Sequence, residues 1–374
     1  MNYCEIYLYI GSLNLYRLLK WCFNMKRYTR RVQFTGKSTY IVSLPKTWVV
    51  RHGLKPGSQV VVEERGGIVV VKPMDSSIAR SRSLAISIDK KTNIDSAIRM
   101  VIAAYIMGYD VIVLKTSDYV NPLIRNTIRE LIINKLPGVE IIGEDEKEIQ
   151  LQVLLNTTSI PIQDILKRLV KVVYSVVQDA CMALTGSGEV SADEVVKEDD
   201  SVDRVYFYAI RALNMAGEGD IETSEVYDVK ELLTYRSLSK LLERIGDHGV
   251  NIARNAAIIQ SHRSLMEEVG ELCNSALNIY LKATNAFFEF NYSSINEIDQ
   301  EIRELREKER ALLGKYINIL NPKELIPLLS VLESARRILE YSRDIAELAI
   351  DINVYRTMTG ISETSTLAEN KPLS

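Results

Sequence analysis

The stretch that decides the fold is Leu241-Leu-Glu-Arg-Ile-Gly-Asp-His-Gly-Val-Asn-Ile252. Its apolar residues recur at helical spacing, so the pattern predicts a helix that packs one face into a bundle. Glu243 and Asp247 are four residues apart, which places both carboxylates one turn apart on the same face of that helix. The pattern returns at Leu339-Glu-Tyr-Ser-Arg-Asp-Ile345, and this recurrence predicts a tandem repeat of helical units.

The segment from Glu243 to Ile252 resembles the third-helix signature of PhoU, the phosphate-uptake regulator family. The resemblance extends over roughly residues 160–356 and implies two three-helix bundles. We place these repeats at residues 159–262 and 263–360. Two sequences read as capping boxes that open the second helix of each repeat; they are Ser191-Ala-Asp-Glu194 and Ser294-Ile-Asn-Glu297.

The resemblance also implies metal binding, because PhoU proteins bind metal through carboxylates of the second and third helices of each repeat. In the first repeat the matching residues are Asp199, Asp203, Glu243 and Asp247. Oxygen ligands of this kind suit a divalent or trivalent cation such as Fe, Mn, Mg or Ca, and Zn less specifically. The resemblance therefore predicts a metal cofactor of unknown identity in the first repeat.

The second repeat departs from the pattern. Its matching acids are Asp299, Glu340 and Asp344, but Arg303 stands where a further acid is expected. A guanidinium among the ligands opposes cation binding, so we expect this repeat to hold metal weakly or not at all. Arg303 could instead pair with Glu340 or Asp344.

A plainer interpretation is open for both acidic columns. Acids at helical spacing often form solvated faces with ion pairs one turn apart, and Arg244 and Arg343 are close enough in sequence to take part. His248 follows Asp247 directly, so it points about 100° away around the helix and is predicted to be a packing residue. No Glu has a His three residues later, as a carboxylate-bridged di-iron bundle requires, and we identify no catalytic nucleophile.

Charge is distributed unevenly along the chain. Residues 25–73 contain ten Lys and Arg against two Glu, a net charge of +8. Residues 1–24 carry +1, and the whole chain carries −3, which leaves −12 for the remainder. A basic head on an acidic body predicts a polyanionic partner for the head and cations for the body.

The basic head has the pattern of short strands and turns. Ser43-Leu-Pro-Lys46, Leu54-Lys-Pro-Gly57 and the closing Val-rich hairpin resemble the SpoVT/AbrB swapped-hairpin family. That resemblance implies an intertwined homodimer over residues 25–76 that binds double-stranded DNA. The candidate DNA contacts are Arg27, Arg30, Arg31, Lys37 and Lys46. The alternative is a dimerisation module whose charges serve solubility, but +8 on so few residues exceeds that need.

Gly36-Lys37-Ser38 is not predicted to bind nucleotide, because the P-loop motif needs a glycine where Arg31 stands and a helix where a strand is predicted.

Residues 77–158 follow a β-α-β-α-β-β order, which predicts a small α/β connector domain. The predicted fold is thus multidomain: an all-β swapped-hairpin head, this α/β domain, and C-terminal all-α tandem three-helix bundles.

The two ends of the chain, the cysteines and the apolar runs give the remaining predictions. Residues 1–24 read as an extension before a start at Met25, or else as a real but poorly ordered terminus, and residues 361–374 read as a disordered tail. Four cysteines show no metal-ligand spacing and no disulfide framework, which predicts a reducing cytoplasm. No apolar run reaches the length of a membrane span.

Two functions fit these features. The first is a dimeric transcriptional regulator of phosphate uptake, with bundles that respond to metal or inorganic phosphate. The second is an accessory protein that docks on the phosphate transporter ATPase or a signalling partner, with the head used for dimerisation only. A metal-dependent hydrolase is a distant third, so we do not expect an enzyme.

Overall fold

The computed structural model describes residues 27–36, 38–65, 68–74, 82–89, 92–155, 160–187, 190–217, 228–259 and 262–359. These residues form two compact units, one ending at Met74 and one starting at Arg82. The predicted extension at 1–24 and the predicted tail at 361–374 lie outside the described residues.

The N-terminal unit, here called the head, consists of two antiparallel hairpins around a short helix. Strands β1 (Gln33–Thr35) and β2 (Thr39–Ile41) pair first, and helix α1 (Lys46–Arg51) follows. Strands β3 (Val60–Arg65) and β4 (Ile68–Pro73) form the second hairpin. Gly36, at φ 64°, turns the chain between two strands and not into a helix, as the rejection of a P-loop predicts.

The head has no core of its own within one chain. None of its described residues is fully buried, and large apolar side chains remain open to solvent. Phe34 is 58% exposed, Tyr40 72% and Val69 65%. A single hairpin pair of this size cannot bury enough apolar surface to be stable alone.

A four-stranded mixed sheet follows, with two helices packed on one face. Its elements in chain order are β5 (Ser83–Ser87), α2 (Ile94–Ile106), β6 (Val111–Lys115), α3 (Pro122–Asn134), β7 (Val139–Glu144) and β8 (Glu148–Val153). The strand order is β5-β6-β8-β7, with β5 and β6 parallel and the other pairs antiparallel. The side chains of Asn93 and Asn121 cap the two helices, and the predicted element order is confirmed.

The rest of the described chain is helical. The first repeat comprises α4 (Ile162–Thr185), α5 (Ala192–Lys197), α6 (Asp199–Gly217) and α7 (Val229–Ile259). The second comprises α8 (Arg263–Phe288), α9 (Tyr292–Tyr316) and α10 (Pro322–Thr359).

The two predicted capping boxes have different outcomes. Ser191 and Glu194 form the predicted box, but the helix it opens is the short α5, and α6 resumes at Asp199. The prediction at Ser294 is wrong, because the cap and the start of α9 both lie three residues earlier. Its cap is Asn291, whose side chain accepts from the Ser294 N–H at 3.2 Å.

The two repeats share one apolar core. Helix α7 packs against α4 within its repeat and equally against α10 of the other, and α4 also packs against α8. The glycines of the signature allow two neighbouring helices to approach α7 closely: a Cβ at Gly246 would lie 3.0 Å from Val202 of α6, and one at Gly249 would lie 3.0 Å from Val177 of α4. The signature is therefore a packing motif as well as an acidic column.

A disulfide joins the repeats, contrary to the sequence prediction. Cys181 of α4 and Cys273 of α8 are bonded across 92 residues of chain, and both are buried. The prediction that the cysteines form no disulfide framework is therefore wrong for this pair. The inference of a reducing compartment from the cysteines loses its basis.

Helix α6 also carries the α/β domain. Arg211 is 1% exposed and donates to the carbonyl oxygens of Tyr105 and Tyr109 at 2.7 and 2.8 Å. It also pairs with Asp110 at 2.9 Å, and the Asn214 amide donates to the Ile106 carbonyl at 2.6 Å. Buried charge-assisted bonds of this kind fix the domain on the outer face of α6.

Among the described residues, none of the helices has the length and apolar character that would let it cross a membrane.

Candidate functional site

The structure brings the four predicted acids of the first repeat together. Asp199 and Asp203 lie on α6, and Glu243 and Asp247 lie on the facing α7. Burial and the charges of the other three acids raise the pKa of Asp247 to about 7. Burial, followed by the charge of Asp203, also raises the pKa of Asp199. These four residues, hereafter the acidic cluster, repel one another strongly enough to oppose full ionisation.

Two lysines partly neutralise the acidic cluster. Lys135, which ends α3 of the α/β domain, lies 2.6 Å from Asp203 and 3.0 Å from Asp200. Lys240 lies 2.6 Å from Glu243, one turn earlier on the same helix. Burial alone would lower the pKa of Lys135, but its hydrogen bonds to the two aspartates outweigh that effect and raise it.

The carboxylate oxygens of the acidic cluster are suitable ligands for a hard cation. The four side chains are not, however, arranged as a metal site. Within the described ranges, no group of three or more His, Cys, Asp or Glu is placed to hold a metal ion. Lys135 and Lys240 instead occupy oxygens of Asp203 and Glu243. A metal would have to displace these ammonium groups, after which four carboxylates from two facing helices could supply oxygen ligands.

Because of the acidic cluster, we expect the free energy of unfolding to fall as the pH rises from about 4 to 7. The unfolded Asp247 ionises near its ordinary value of 3.8, whereas the folded residue ionises near 7, so the folded state binds more protons in this window. Asp247→Asn removes the penalty. Because this side chain is partly open to solvent, we expect the variant to be more stable by only about 1 kcal/mol at pH 8.

The measurement is thermal unfolding of both proteins between pH 4 and pH 8. The difference between them should vanish towards pH 4. Asp351→Asn changes an exposed aspartate near the end of α10 and should show no such trend. Equal pH profiles for the wild type and Asp247→Asn would contradict the arrangement described for the acidic cluster.

The second repeat places its predicted acids differently. Glu340 pairs with Arg306 and Arg337, at 3.0 Å each. Arg303 is expected to pair with Glu340 or Asp344, but among these described residues it forms an ion pair with neither, and other arginines engage Glu340. Asp299 is exposed and Asp344 is half-buried.

Arg244 and Arg343, which the sequence suggests as ion-pair partners of the two acidic columns, contact other residues. Arg244 lies over the ring of Tyr341, 5.7 Å from its centroid, and Arg343 lies 3.6 Å from Glu347. The His248 Nδ1 lies 3.3 Å from Ser334 Oγ, and its ring also contacts Tyr341. This is the packing role that its position in the sequence predicts.

The described DNA-contact candidates are exposed in the head. Arg27, Arg30 and Arg31 lie in the extended segment before β1, and Lys46 opens α1; Lys37 lies outside the described residues. The Arg30 guanidinium lies over the ring of Tyr28, 5.4 Å from its centroid.

Tyr28 connects this basic segment to α1. Its hydroxyl is 2.9 Å from Thr47 Oγ1, and Thr47 directly follows Lys46. The contact holds the arginine-bearing segment against the helix that carries the lysine. Cations on two elements are thereby fixed in one unit, which is the arrangement that several phosphate groups of a polyanion require.

Fold and site together define a multidomain chain: a basic hairpin head, a small mixed sheet, and paired three-helix repeats with an acidic cluster. A family model described as PhoU domain matches residues 166–256, and one described as antidote-toxin recognition MazE, bacterial antitoxin, matches residues 33–78. The chain therefore carries a PhoU domain in its first repeat and a MazE/AbrB-like domain at its N-terminus.

Two solved structures are similar to the helical part. PhoU from Pseudomonas aeruginosa is 20% identical, with 52% of this chain and 96% of that chain covered and a TM-score of 0.44. The phosphate transport system regulatory protein PhoU from Streptococcus pneumoniae is 17% identical, with 52% and 94% covered and a TM-score of 0.45. A comparison with curated proteins finds no match.

Proposed function

We propose that this chain is a dimeric, DNA-binding transcriptional regulator of phosphate uptake and phosphate homeostasis in the cytoplasm. The observation that carries the proposal is the head, which combines a net charge of +8 over residues 25–73 with apolar side chains that one chain leaves open. The PhoU domain supports the link to phosphate, and the role is non-catalytic.

Dimerisation follows from the exposed apolar residues of the head. Phe34 and Tyr40 face each other across the first hairpin, with ring centroids 5.1 Å apart, yet both are exposed. A second copy of the head would cover them and so supply the core that one copy lacks. The described cations of two copies would then contact phosphates on both sides of a duplex.

The experiment is binding of the dimer to DNA upstream of its own gene and of phosphate-transporter genes, across a salt series. Specific binding should weaken steeply with salt, because each neutralised phosphate releases counterions. Random DNA should compete poorly. Weak binding that is equal for all sequences would overturn the regulator proposal.

For the bundles, we propose that the acidic cluster takes up a divalent or trivalent cation such as Fe, Mn, Mg or Zn, with inorganic phosphate as an effector. Two features support it: the oxygen-rich donor set, and the burial and mutual repulsion that together hold the pKa of Asp247 high. Bound metal would supply positive charge to which a phosphate could add as a further ligand. Lys135 and Lys240 hold the same carboxylates when no metal does.

This gives a test with a lysine variant. Lys135→Gln removes the cation that occupies Asp203, so we expect affinity for Mn²⁺ to rise by about tenfold, measured by calorimetry. Lys147→Gln, at an exposed lysine of the same α/β domain, should leave it unchanged. The double variant Lys135→Gln/Asp247→Asn should not bind Mn²⁺. If Lys135→Gln binds Mn²⁺ no better than the wild type, the proposed competition is wrong.

The second candidate function is an accessory protein that docks on the phosphate transporter ATPase or a signalling partner. The PhoU domain match favours it. Under this alternative, neutralising the head would leave the partner complex intact, whereas under the first proposal it abolishes DNA binding.

A further inference from the structure

The second repeat contains a cavity lined by charged side chains. It lies between α9 and α10 and has a volume of about 300 Å³. Its lining residues are Arg306, Glu309, Arg310, Leu313, Arg336 and Glu340. Three guanidinium groups around one cavity are an arrangement suited to an anion with several charged oxygens.

Ion pairs hold these guanidinium groups in position. Arg306 lies 3.0 Å from Glu340, and Arg336 forms an ion pair with Glu333. Arginines fixed in this way lose less side-chain freedom when a ligand arrives, which favours binding.

Two of the arginines keep a donor unused. The Nε atoms of Arg306 and Arg336 are buried and have no hydrogen-bond partner. A buried donor without a partner is costly and uncommon in native structures. A ligand with several acceptor oxygens in this cavity is one way to satisfy both.

The acids of the cavity oppose an anion less than their number implies. Glu340 is engaged by Arg306 and Arg337. Burial, the largest influence, raises the pKa of Glu309 despite the neighbouring Arg336 and Arg306. Three arginines therefore surround a cavity with two carboxylates, one of which, Glu340, is already shared between two arginines.

The two repeats have diverged in charge at this place. The acids that match between them, Asp199 with Asp299 and Glu243 with Glu340, set the correspondence. By the same offsets, Arg306, Arg310 and Arg336 replace Tyr206, Ile210 and Ser239. In the first repeat Ile210 and Ser239 are buried. The second repeat thus carries arginines at positions that are packed in the first, and Arg310 among them is largely exposed.

We propose that this cavity binds a small phosphate-bearing anion through Arg306, Arg310 and Arg336. The planar guanidinium forks match the oxygens of a phosphate group, singly or in pairs. The volume lies at the lower end of the range for small-molecule sites, so a short phosphate chain or a phosphorylated metabolite fits better than a macromolecule. The site is separate from the acidic cluster and does not depend on DNA binding by the head.

The test is calorimetric titration of the full chain with pyrophosphate, and in parallel with orthophosphate and sulfate, at constant ionic strength. We expect saturable binding of pyrophosphate that Arg306→Gln and Arg336→Gln each weaken by about tenfold. Arg306→Lys keeps the charge but loses the fork, so it should recover only part of the affinity. Stronger binding of orthophosphate than of pyrophosphate would identify a single phosphate group as the ligand.

Arg263→Gln is the matched control, because Arg263 is exposed and also forms an ion pair with a Glu on its own helix. It should bind pyrophosphate like the wild type. Should the two cavity variants fail to fold, Arg310→Gln, at a more exposed arginine of the same cavity, provides the same readout. No saturable binding by the wild type, or equal weakening in Arg263→Gln, would overturn the proposal.

Discussion

Replacing Arg30, Arg31 and Lys46 together with glutamine should weaken specific DNA binding roughly a hundredfold at moderate salt and lower the slope of log affinity against log salt by about 3. All three side chains are exposed, and the contact of Tyr28 with Thr47 holds the segment that carries the arginines beside α1. Each lost cation removes one phosphate contact and the counterions it releases. The measurement is a salt series with one operator and one random duplex.

A charge-matched control separates this effect from general electrostatics. Arg263, Lys308 and Lys323 are exposed and lie in the helical repeats, so their triple replacement changes the net charge equally. It should leave DNA affinity nearly unchanged. Sedimentation must show that both triple variants remain dimers. Equal losses in both would mean that the head has no special role, and would favour docking on a transporter partner.

The local signals in the sequence predict much of the fold. Asn93 and Asn121 cap the helices of the α/β domain, and Gly186, at φ 64°, ends α4, because these residues make their contacts within one turn. The prediction at Ser294 fails for the same local reason. Asn291 is an equally good cap three residues earlier, and the sequence does not decide between two adjacent caps.

Only part of the acidic cluster and its lysine partners could be predicted from the sequence. The four-residue spacing of Glu243 and Asp247 is a helical signal, so their shared face could be predicted. Lys240 could also have been found, since it precedes Glu243 by one turn. Lys135 could not, because it is 68 residues from Asp203 in the chain and reaches the cluster only through the packing of the α/β domain on α6.

The same limit explains the missed disulfide. Cys181 and Cys273 each lie on an apolar face at helical spacing, where a cysteine reads as a small core residue. Only the packing of α4 against α8 brings the two Cα atoms to 5.9 Å. Gly270 permits this close approach, because a Cβ there would collide with Thr185. A cytoplasmic location therefore rests on the proposed DNA partner and not on the cysteines.

Removing this disulfide should destabilise the protein strongly. The bond closes a loop of 92 residues, for which chain entropy gives about 4–5 kcal/mol, and measured losses are typically about 2–5 kcal/mol. Cys181→Ala/Cys273→Ala should lower the denaturant midpoint by a corresponding amount. The control is Ser175→Ala/Ser264→Ala, which makes two small replacements at exposed residues of the same helices and should leave the midpoint nearly unchanged.

The comparison with reductant isolates the cross-link from the small cavities that alanine leaves. Unfolding of the wild type should become easier once the bond is reduced, whereas the Cys181→Ala/Cys273→Ala variant should not respond to reductant. Because α4 and α8 are the first helices of the two repeats, the reduced protein should also exchange amide hydrogens faster along their contact. A wild type whose stability ignores reductant, or which titrates with all four thiols free, would contradict the bond between the repeats.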